Sequence, residues 1–234
     1  NIGAAYLQSG DVDQALIHLR SAIKDRATNA DAYINLGNTF LRKREFDPAI
    51  EAYSATLGLS FDHAETHYSI ANAFRQKGQL DDAVLHYKLA LQLRPDYSDA
   101  HNNLGNALRQ QGRIEEAIHE YEMALAGEPG SALAQNNLAW LLATAADARL
   151  RDGKRAVRLA EEAVMSTGGN DPVLLHTLAA AYAENHEFDK AVAAAQDALK
   201  IAEQKGIASL AESLRAKISL YQAGSPYHEL SPAE

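Results

Sequence analysis

The chain repeats itself every 34 residues, and this periodicity constrains its fold more than any other feature. The clearest copy runs from Ser98 to Ser131, and two steps back along the chain bring a tyrosine from Tyr121 to Tyr87 and Tyr53. A large aliphatic residue, an alanine and a second large apolar residue recur in the same register: Leu104, Ile70 and Leu36; Ala117, Ala83 and Ala49; Leu108, Phe74 and Phe40. The chain is therefore a tandem array of one structural unit.

Each copy has the pattern of two amphipathic helices. Apolar residues follow helical spacing in both halves of the clearest copy, at Ala100, Leu104, Ala107 and Leu108 and again at Ile114, Ala117, Ile118, Tyr121, Ala124 and Leu125. Gly112 lies between the halves, where a left-handed backbone ends a helix and lets the chain reverse. An isolated helical hairpin of this kind leaves apolar surface exposed, so neighbouring copies must stack.

The recurring Leu-Gly, Tyr, Ala and Pro positions resemble those of the tetratricopeptide repeat, over residues 1 to about 205. The resemblance implies an all-α fold, a right-handed superhelical solenoid of antiparallel helix pairs. It also implies that the chain binds proteins or peptides. It does not specify which ones.

The periodicity predicts one solenoid over residues 1–222 and a tail at 223–234. The repeats are expected at about 1–29 (partial), 30–63, 64–97, 98–131, 132–171 and 172–205, followed by a capping helix at 206–222. In the fifth repeat the alanine expected at position 151 is delayed to Ala156, which predicts five extra residues in the loop between its helices. Polar residues on the last helix, including Lys217, suit the end of a solenoid.

Composition excludes several classes of function. The formal net charge of the 234 residues is −9, so no basic surface favours nucleic acid or an anionic membrane. No apolar run is long enough to predict membrane insertion. The absence of cysteine excludes disulfides and thiolate sites. The compartment stays open, with cytoplasm slightly favoured and periplasm the alternative. Because the sequence begins inside a repeat, we expect a fragment of a longer protein.

Asparagines recur on one face of the predicted first helices. They are Asn35, Asn38, Asn72, Asn102, Asn103, Asn106, Asn136 and Asn137. Asparagine is a mediocre helix former, so helix propensity does not explain the pattern. A side-chain amide both donates and accepts hydrogen bonds, which matches the backbone of an extended peptide. The alternative is that the column reflects repeat duplication and hydrogen bonding between helices.

The segments AYINLGNTF and AHNNLGNAL resemble repeats of the O-linked N-acetylglucosamine transferase superhelix, in which inner-surface asparagines hold substrate backbone. Asn35, Asn103 and Asn137 are the matching residues, and Ser69 departs from the pattern. That family's catalytic domain has no counterpart in this sequence. The resemblance leaves two alternatives to a non-catalytic scaffold: a substrate-recruiting arm of a larger enzyme, or a scaffold that self-associates through its truncated first repeat.

Three further side chains are candidates for contact with a peptide. Arg75 and Arg109 lie near the ends of first helices and could hold an acidic side chain, or could simply be solvated helix ends. Trp140, the only tryptophan, is either a groove anchor or packed against the loop of its own repeat. Asp31, Glu65 and Asp99 begin first helices, which disfavours a clamp for a peptide carboxylate.

The sequence predicts no catalytic site, no metal site and no cofactor. His63 and His67 have the i, i+4 spacing of metal ligands, but His67 recurs as His101 and Tyr33, so we interpret these positions as packing residues. The expected partner is a protein or peptide.

Overall fold

A computed structural model describes residues 2–59 and 63–230, and every regular element in that part of the chain is helical. The helices are α1 Ile2–Ser9, α2 Val12–Asp25, α3 Ala30–Arg42, α4 Phe46–Ser54, α5 His63–Lys77, α6 Leu80–Leu93, α7 Ser98–Gln110, α8 Ile114–Gly127, α9 Ala132–Thr144, α10 Gly153–Ser166, α11 Pro172–Glu184, α12 Phe188–Gln204 and α13 Ala208–Gln222. The all-α helical-repeat prediction is confirmed. Phe61, which the periodicity aligns with the prolines of other copies, and residues 231–234 of the predicted tail lie outside the described residues.

The helices form two compact units, Asn1–Gln111 and Gly112–Glu234, called unit 1 and unit 2 below. In each unit, helices adjacent in sequence pack against one another, as helical hairpins with short turns do. First helices of the repeats are α1, α3, α5 and α7 in unit 1, and α9 and α11 in unit 2. In unit 2, α13 follows the last helix pair and packs on α12. First helices also contact each other: α1 packs on α3, α5 on α7, and α11 on both α9 and α13.

Small residues and tyrosines fill the interior of the repeats. Ala83, Ala90, Ala117 and Ala124 on second helices are fully buried or nearly so, as are Tyr53, Tyr87 and Tyr121 at the 34-residue period. The Tyr53 ring fits because the residue facing it has no side chain: a Cβ on Gly37 would lie 2.5 Å from Cε1 of Tyr53. The recurring sequence positions are thus the core of each hairpin.

Left-handed residues end the first helices of several repeats. Gly10, Gly78 and Gly112 have φ of 85°, 85° and 76°, as predicted for Gly112, but the equivalent turns use Arg44 at φ 60° and His186 at φ 61°. The left-handed region is unfavourable for a residue with a Cβ. These two turns therefore store backbone strain that the glycine turns avoid.

Replacing Arg44 with glycine is expected to stabilise the protein. The left-handed conformation costs a residue with a Cβ about 1–2 kcal/mol, and the extra freedom of glycine in the unfolded chain offsets about 0.5–1 kcal/mol of that. Denaturant unfolding of Arg44→Gly should show a net gain of about 0.5–1 kcal/mol. The reciprocal Gly78→Arg should lower the free energy of unfolding. If both substitutions lowered it, the left-handed backbone at Arg44 would not be strained.

The loop between α9 and α10 is longer than the other loops that join the two helices of one repeat, as the delayed Ala156 predicts. Residues 145–152 separate these helices, whereas 78–79 separate α5 from α6. The loop contains a 3₁₀ turn at Ala148–Leu150 and is held by Arg151, whose Nη1 donates to the carbonyls of Ala145 at 2.7 Å and Ala146 at 3.2 Å. Arg151 Nε also donates to Glu184 on α11 at 2.9 Å.

One expectation for the last helix is wrong. Glu212 and Arg215 on α13 are exposed, but Lys217 is buried, with 7% of its surface accessible. Its ammonium group donates to Ser213 at 2.7 Å and lies over aromatic rings. The chain beyond Gly224 returns to this helix, where the Tyr227 ring lies 4.1 Å from the Lys217 ammonium group, which the local sequence did not indicate.

Candidate functional site

All eight candidate asparagines are half-buried on first helices. Asn35 and Asn38 lie on α3, Asn72 on α5, and Asn102, Asn103 and Asn106 on α7, all in unit 1. Asn136 and Asn137 lie on α9 in unit 2. The candidate asparagines are therefore partly accessible residues of first helices in both units.

Two of these amides have a structural partner at the same repeat position. The hydroxyl of Tyr53 donates to Oδ1 of Asn38, and that of Tyr87 to Oδ1 of Asn72, each at 2.6 Å. Burial raises the pKa of Tyr87 to about 12, although Arg75 opposes the shift. Asn38 and Asn72 thus each connect the two helices of a hairpin. Because these contacts use the amide oxygen, the amide N–H groups can donate to another acceptor.

Asn103 extends this network from one repeat to the next. Its Nδ2 donates to the Tyr68 hydroxyl at 2.9 Å and to Oδ1 of Asn72 at 3.2 Å, both on α5. Arg75 joins the same network, because its Nε donates to the Tyr87 hydroxyl at 3.3 Å. Polar side chains of α5, α6 and α7 are therefore held in fixed positions.

The Tyr53 hydroxyl is expected to stabilise unit 1 through Asn38. Tyr53→Phe should lower the free energy of unfolding by about 1 kcal/mol, the usual net value of one hydrogen bond. In a double-mutant cycle with Asn38→Ala, a coupling energy of similar size should appear in denaturant melts. Additive effects would show that the 2.6 Å contact contributes nothing.

The remaining unit 1 candidates have more local environments. Nδ2 of Asn35 donates to the carbonyl of Asp31 in its own helix at 2.9 Å. Asn102 makes a long contact of 3.5 Å from its Nδ2 to Oδ1 of Asn103. Asn106 and Arg109 are half-buried on α7 and also engage in interactions. Asp31, Glu65 and Asp99 are exposed where first helices begin.

In unit 2 the candidate residues have different environments from those in unit 1. Oδ1 of Asn136 is enclosed and, in the part of the chain the structure describes, has no hydrogen-bond partner. Trp140 lies on α9 and is half-buried. Its ring lies against His176, with centroids 4.9 Å apart, and its Nε1 donates to the Glu229 carboxylate at 2.7 Å.

The histidine pair that resembled metal ligands has packing roles. Nδ1 of His67 lies 3.0 Å from Nδ1 of His86, which makes a hydrogen bond between α5 and α6, whereas Nδ1 of His63 is buried without a partner among the described residues. Burial lowers the pKa of both His67 and His86. Among the described residues no group of three or more histidine or acidic side chains is placed to hold a metal ion.

Family models match the repeats directly. A model described as "TPR repeat" matches residues 3–44 and 71–109, and two described as "Tetratricopeptide repeat" match 30–63 and 98–126, so that together they cover half of the chain. The chain is a tetratricopeptide-repeat protein. A search of curated proteins finds no significant match.

Solved tetratricopeptide-type structures have a similar fold. Pseudomonas aeruginosa PilF aligns with a TM-score of 0.76 and 21% identity over 92% of this chain and 94% of that one. MamA aligns with a TM-score of 0.62 and 24% identity over 72% and 95%. YrrB, described as "a TPR protein with an unusual peptide-binding site", aligns with 0.58 and 19% identity over 75% and 88%.

The family is typical of protein–protein interaction scaffolds. No helix in the described part of this tetratricopeptide-repeat protein is both long and apolar enough to cross a membrane. Sequence reasoning missed the polar cluster in unit 2 that His176 and Lys217 form with Tyr227 and Glu229. The unusual presence of a lysine on the apolar stripe of α13 was the signal available.

Proposed function

We propose that this chain is a non-catalytic scaffold that binds an extended peptide, or an extended segment of a partner protein, along the first helices of its repeats. The observation that carries the proposal is the presence of half-buried asparagine amides on first helices of each unit, on α3, α5 and α7 in unit 1 and on α9 in unit 2. An extended ligand has one N–H and one C=O per residue, and amides at fixed intervals can bond to both.

The network around Asn103 supports this role, because it orders the amides before any ligand arrives. Fixed side chains lose less conformational entropy on binding. The column Asn35, Asn103 and Asn137, which resembles the substrate-holding column of the O-linked N-acetylglucosamine transferase superhelix, is the part that we propose contacts ligand backbone. A few hydrogen bonds of about 0.5–1.5 kcal/mol each suit micromolar affinity.

A quantitative pull-down from lysate tests the proposal. The test variant carries Asn35→Ala, Asn103→Ala and Asn137→Ala. The matched control carries Gln92→Ala, His119→Ala and Gln196→Ala, three exposed polar residues on second helices. Specific partners should be lost with the test variant and kept with the control, at unchanged helical circular dichroism. Equal retention by both would refute an asparagine-lined binding face.

A further inference from the structure

The 225–230 segment makes contacts with α9, α11 and α13 of unit 2. The backbone turns after α13 at Gly224, where φ is 70°. The N–H of Glu229 then donates to the carbonyl of Thr144, the last residue of α9, at 2.7 Å. The segment therefore runs from α13 to α9 and makes a main-chain hydrogen bond there.

Tyr227 and Glu229 both contact Trp140 of α9. The Lys217 ammonium lies 4.1 Å from the centroid of the Tyr227 ring, which also approaches Trp140 at 6.2 Å. The Glu229 carboxylate accepts the 2.7 Å hydrogen bond from Trp140 Nε1. Tyr227 and Glu229, two residues apart in the segment, thus share Trp140 as a partner.

His228, between them, contacts a different group. Its Nε2 lies 2.7 Å from a carboxylate oxygen of Glu184 on α11, and the other oxygen of Glu184 accepts from Arg151 Nε at 2.9 Å. Both Glu184 and Arg151 have side chains that are only 15% exposed. Arg151 thus holds the Glu184 carboxylate in place, so the acceptor for His228 does not depend on the segment.

The surface of unit 2 that the segment contacts is called the unit 2 groove below. It provides a complementary partner for Tyr227, His228 and Glu229. Trp140 provides a ring and an N–H donor, Lys217 provides a cation, and Glu184 provides an anion, on α9, α13 and α11 respectively. An aromatic ring over an ammonium group and a carboxylate on an indole N–H are both specific, directional contacts. The arrangement distinguishes residue types, which a merely apolar groove does not.

We propose that the unit 2 groove is a binding site for an extended peptide that carries an aromatic residue followed two positions later by a carboxylate, and that the 225–230 segment is a built-in competitor for it. The inference rests on the proposed function, because it assigns a ligand class to first helices of unit 2. It adds an intramolecular occupant that the ligand must displace, which lowers apparent affinity by the fraction of time the groove is open.

Fluorescence polarisation with a labelled peptide tests the proposal. The probe is acetyl-GSPYHEL-amide, the sequence of residues 224–230 without charged ends. The wild-type chain of 234 residues is compared with the same chain carrying Tyr227→Ala and Glu229→Ala, in which the competitor is weakened. The double variant should bind at least ten-fold more tightly than the wild type. Probes with the tyrosine changed to alanine or the glutamate to glutamine should bind at least ten-fold more weakly.

The tryptophan gives an independent readout, because Trp140 is the only one in the chain. Its emission should differ between the wild type and the double variant and should return towards the wild-type spectrum when probe saturates the variant. Lys217→Met added to the double variant should abolish probe binding at unchanged circular dichroism.

Three results would overturn the inference. They are no saturable binding to the double variant, equal affinity for the wild type and the double variant, or a wild-type dimer in light scattering that exchanges the segment between copies. Any of these, alongside asparagine-dependent pull-down of partners, would reject the competitor while leaving the proposed function intact. If the probe binds as expected but the asparagine substitutions leave the pull-down of partners unchanged, the asparagine-lined face is rejected and the competitor is kept.

Discussion

Lowering the pH from 6.5 to 4 should reduce the free energy of unfolding of unit 2 by up to about 3 kcal/mol through His176 alone. Burial first, and then the nearby Lys217 ammonium, lower the pKa of this histidine from 6.5 to about 4. Its Nε2 is enclosed without a hydrogen-bond partner among the described residues. The unfolded chain therefore binds the proton first, so this contribution is complete above pH 6.5 and is lost as the pH falls towards 4.

Denaturant unfolding followed by Trp140 emission at several pH values measures this loss, because the indole contacts His176 directly. His67 and His86 also have pKa values lowered by burial and act in the same direction in unit 1, so a probe within unit 2 is needed. His176→Phe keeps an aromatic ring against Trp140 but cannot titrate. The variant should lose much less stability over this range; an identical loss would exclude His176 as its source.

Arg151→Ala should cost unit 2 about 2–3 kcal/mol, because it removes one partner of a largely buried ion pair. Arg151 bonds to the Glu184 carboxylate and to two carbonyls of the 145–152 loop. Its loss removes the donor to both carbonyls and to one oxygen of the Glu184 carboxylate, and with it the hydrogen bond that joins the loop to α11. Thermal or denaturant melts of unit 2, read by tryptophan emission, measure the change.

Arg149 in the same loop provides the matched control. It forms a 2.6 Å ion pair with Asp147, but its side chain is 83% exposed. Solvent-exposed pairs contribute little to stability, so Arg149→Ala should leave the melt essentially unchanged. Equal effects of Arg149→Ala and Arg151→Ala would show that the clamp on Glu184 has no special importance.

The repeat architecture was predictable because its determinants are local and periodic. The spacing of Ala117 and Tyr121 within a copy specifies a second helix and its buried face, and the delay to Ala156 locates the longer loop. These signals lie within one hairpin and recur 34 residues apart. Packing of adjacent hairpins follows from the same apolar stripes.

The candidate site was only partly predictable. The asparagine face follows from the sequence, and a link to tyrosine was open to prediction, since Asn38 and Tyr53 recur together as Asn72 and Tyr87. The contact of Glu229 with Trp140 was not, because these residues are 89 positions apart and no local pattern connects them. Burial of Lys217 depends on the same long-range docking, as does the position of Tyr227.

Site-specific photo-crosslinking tests the central claim, that partners bind along the first helices, most directly. A photoreactive phenylalanine derivative is placed at position 35 on α3 or 102 on α7, and at the exposed second-helix positions 85 on α6 or 119 on α8 as controls. In lysate, the first-helix positions should give partner adducts and the second-helix positions few or none. Adducts that form chiefly from positions 85 and 119 would contradict the account and place the binding surface on the second helices.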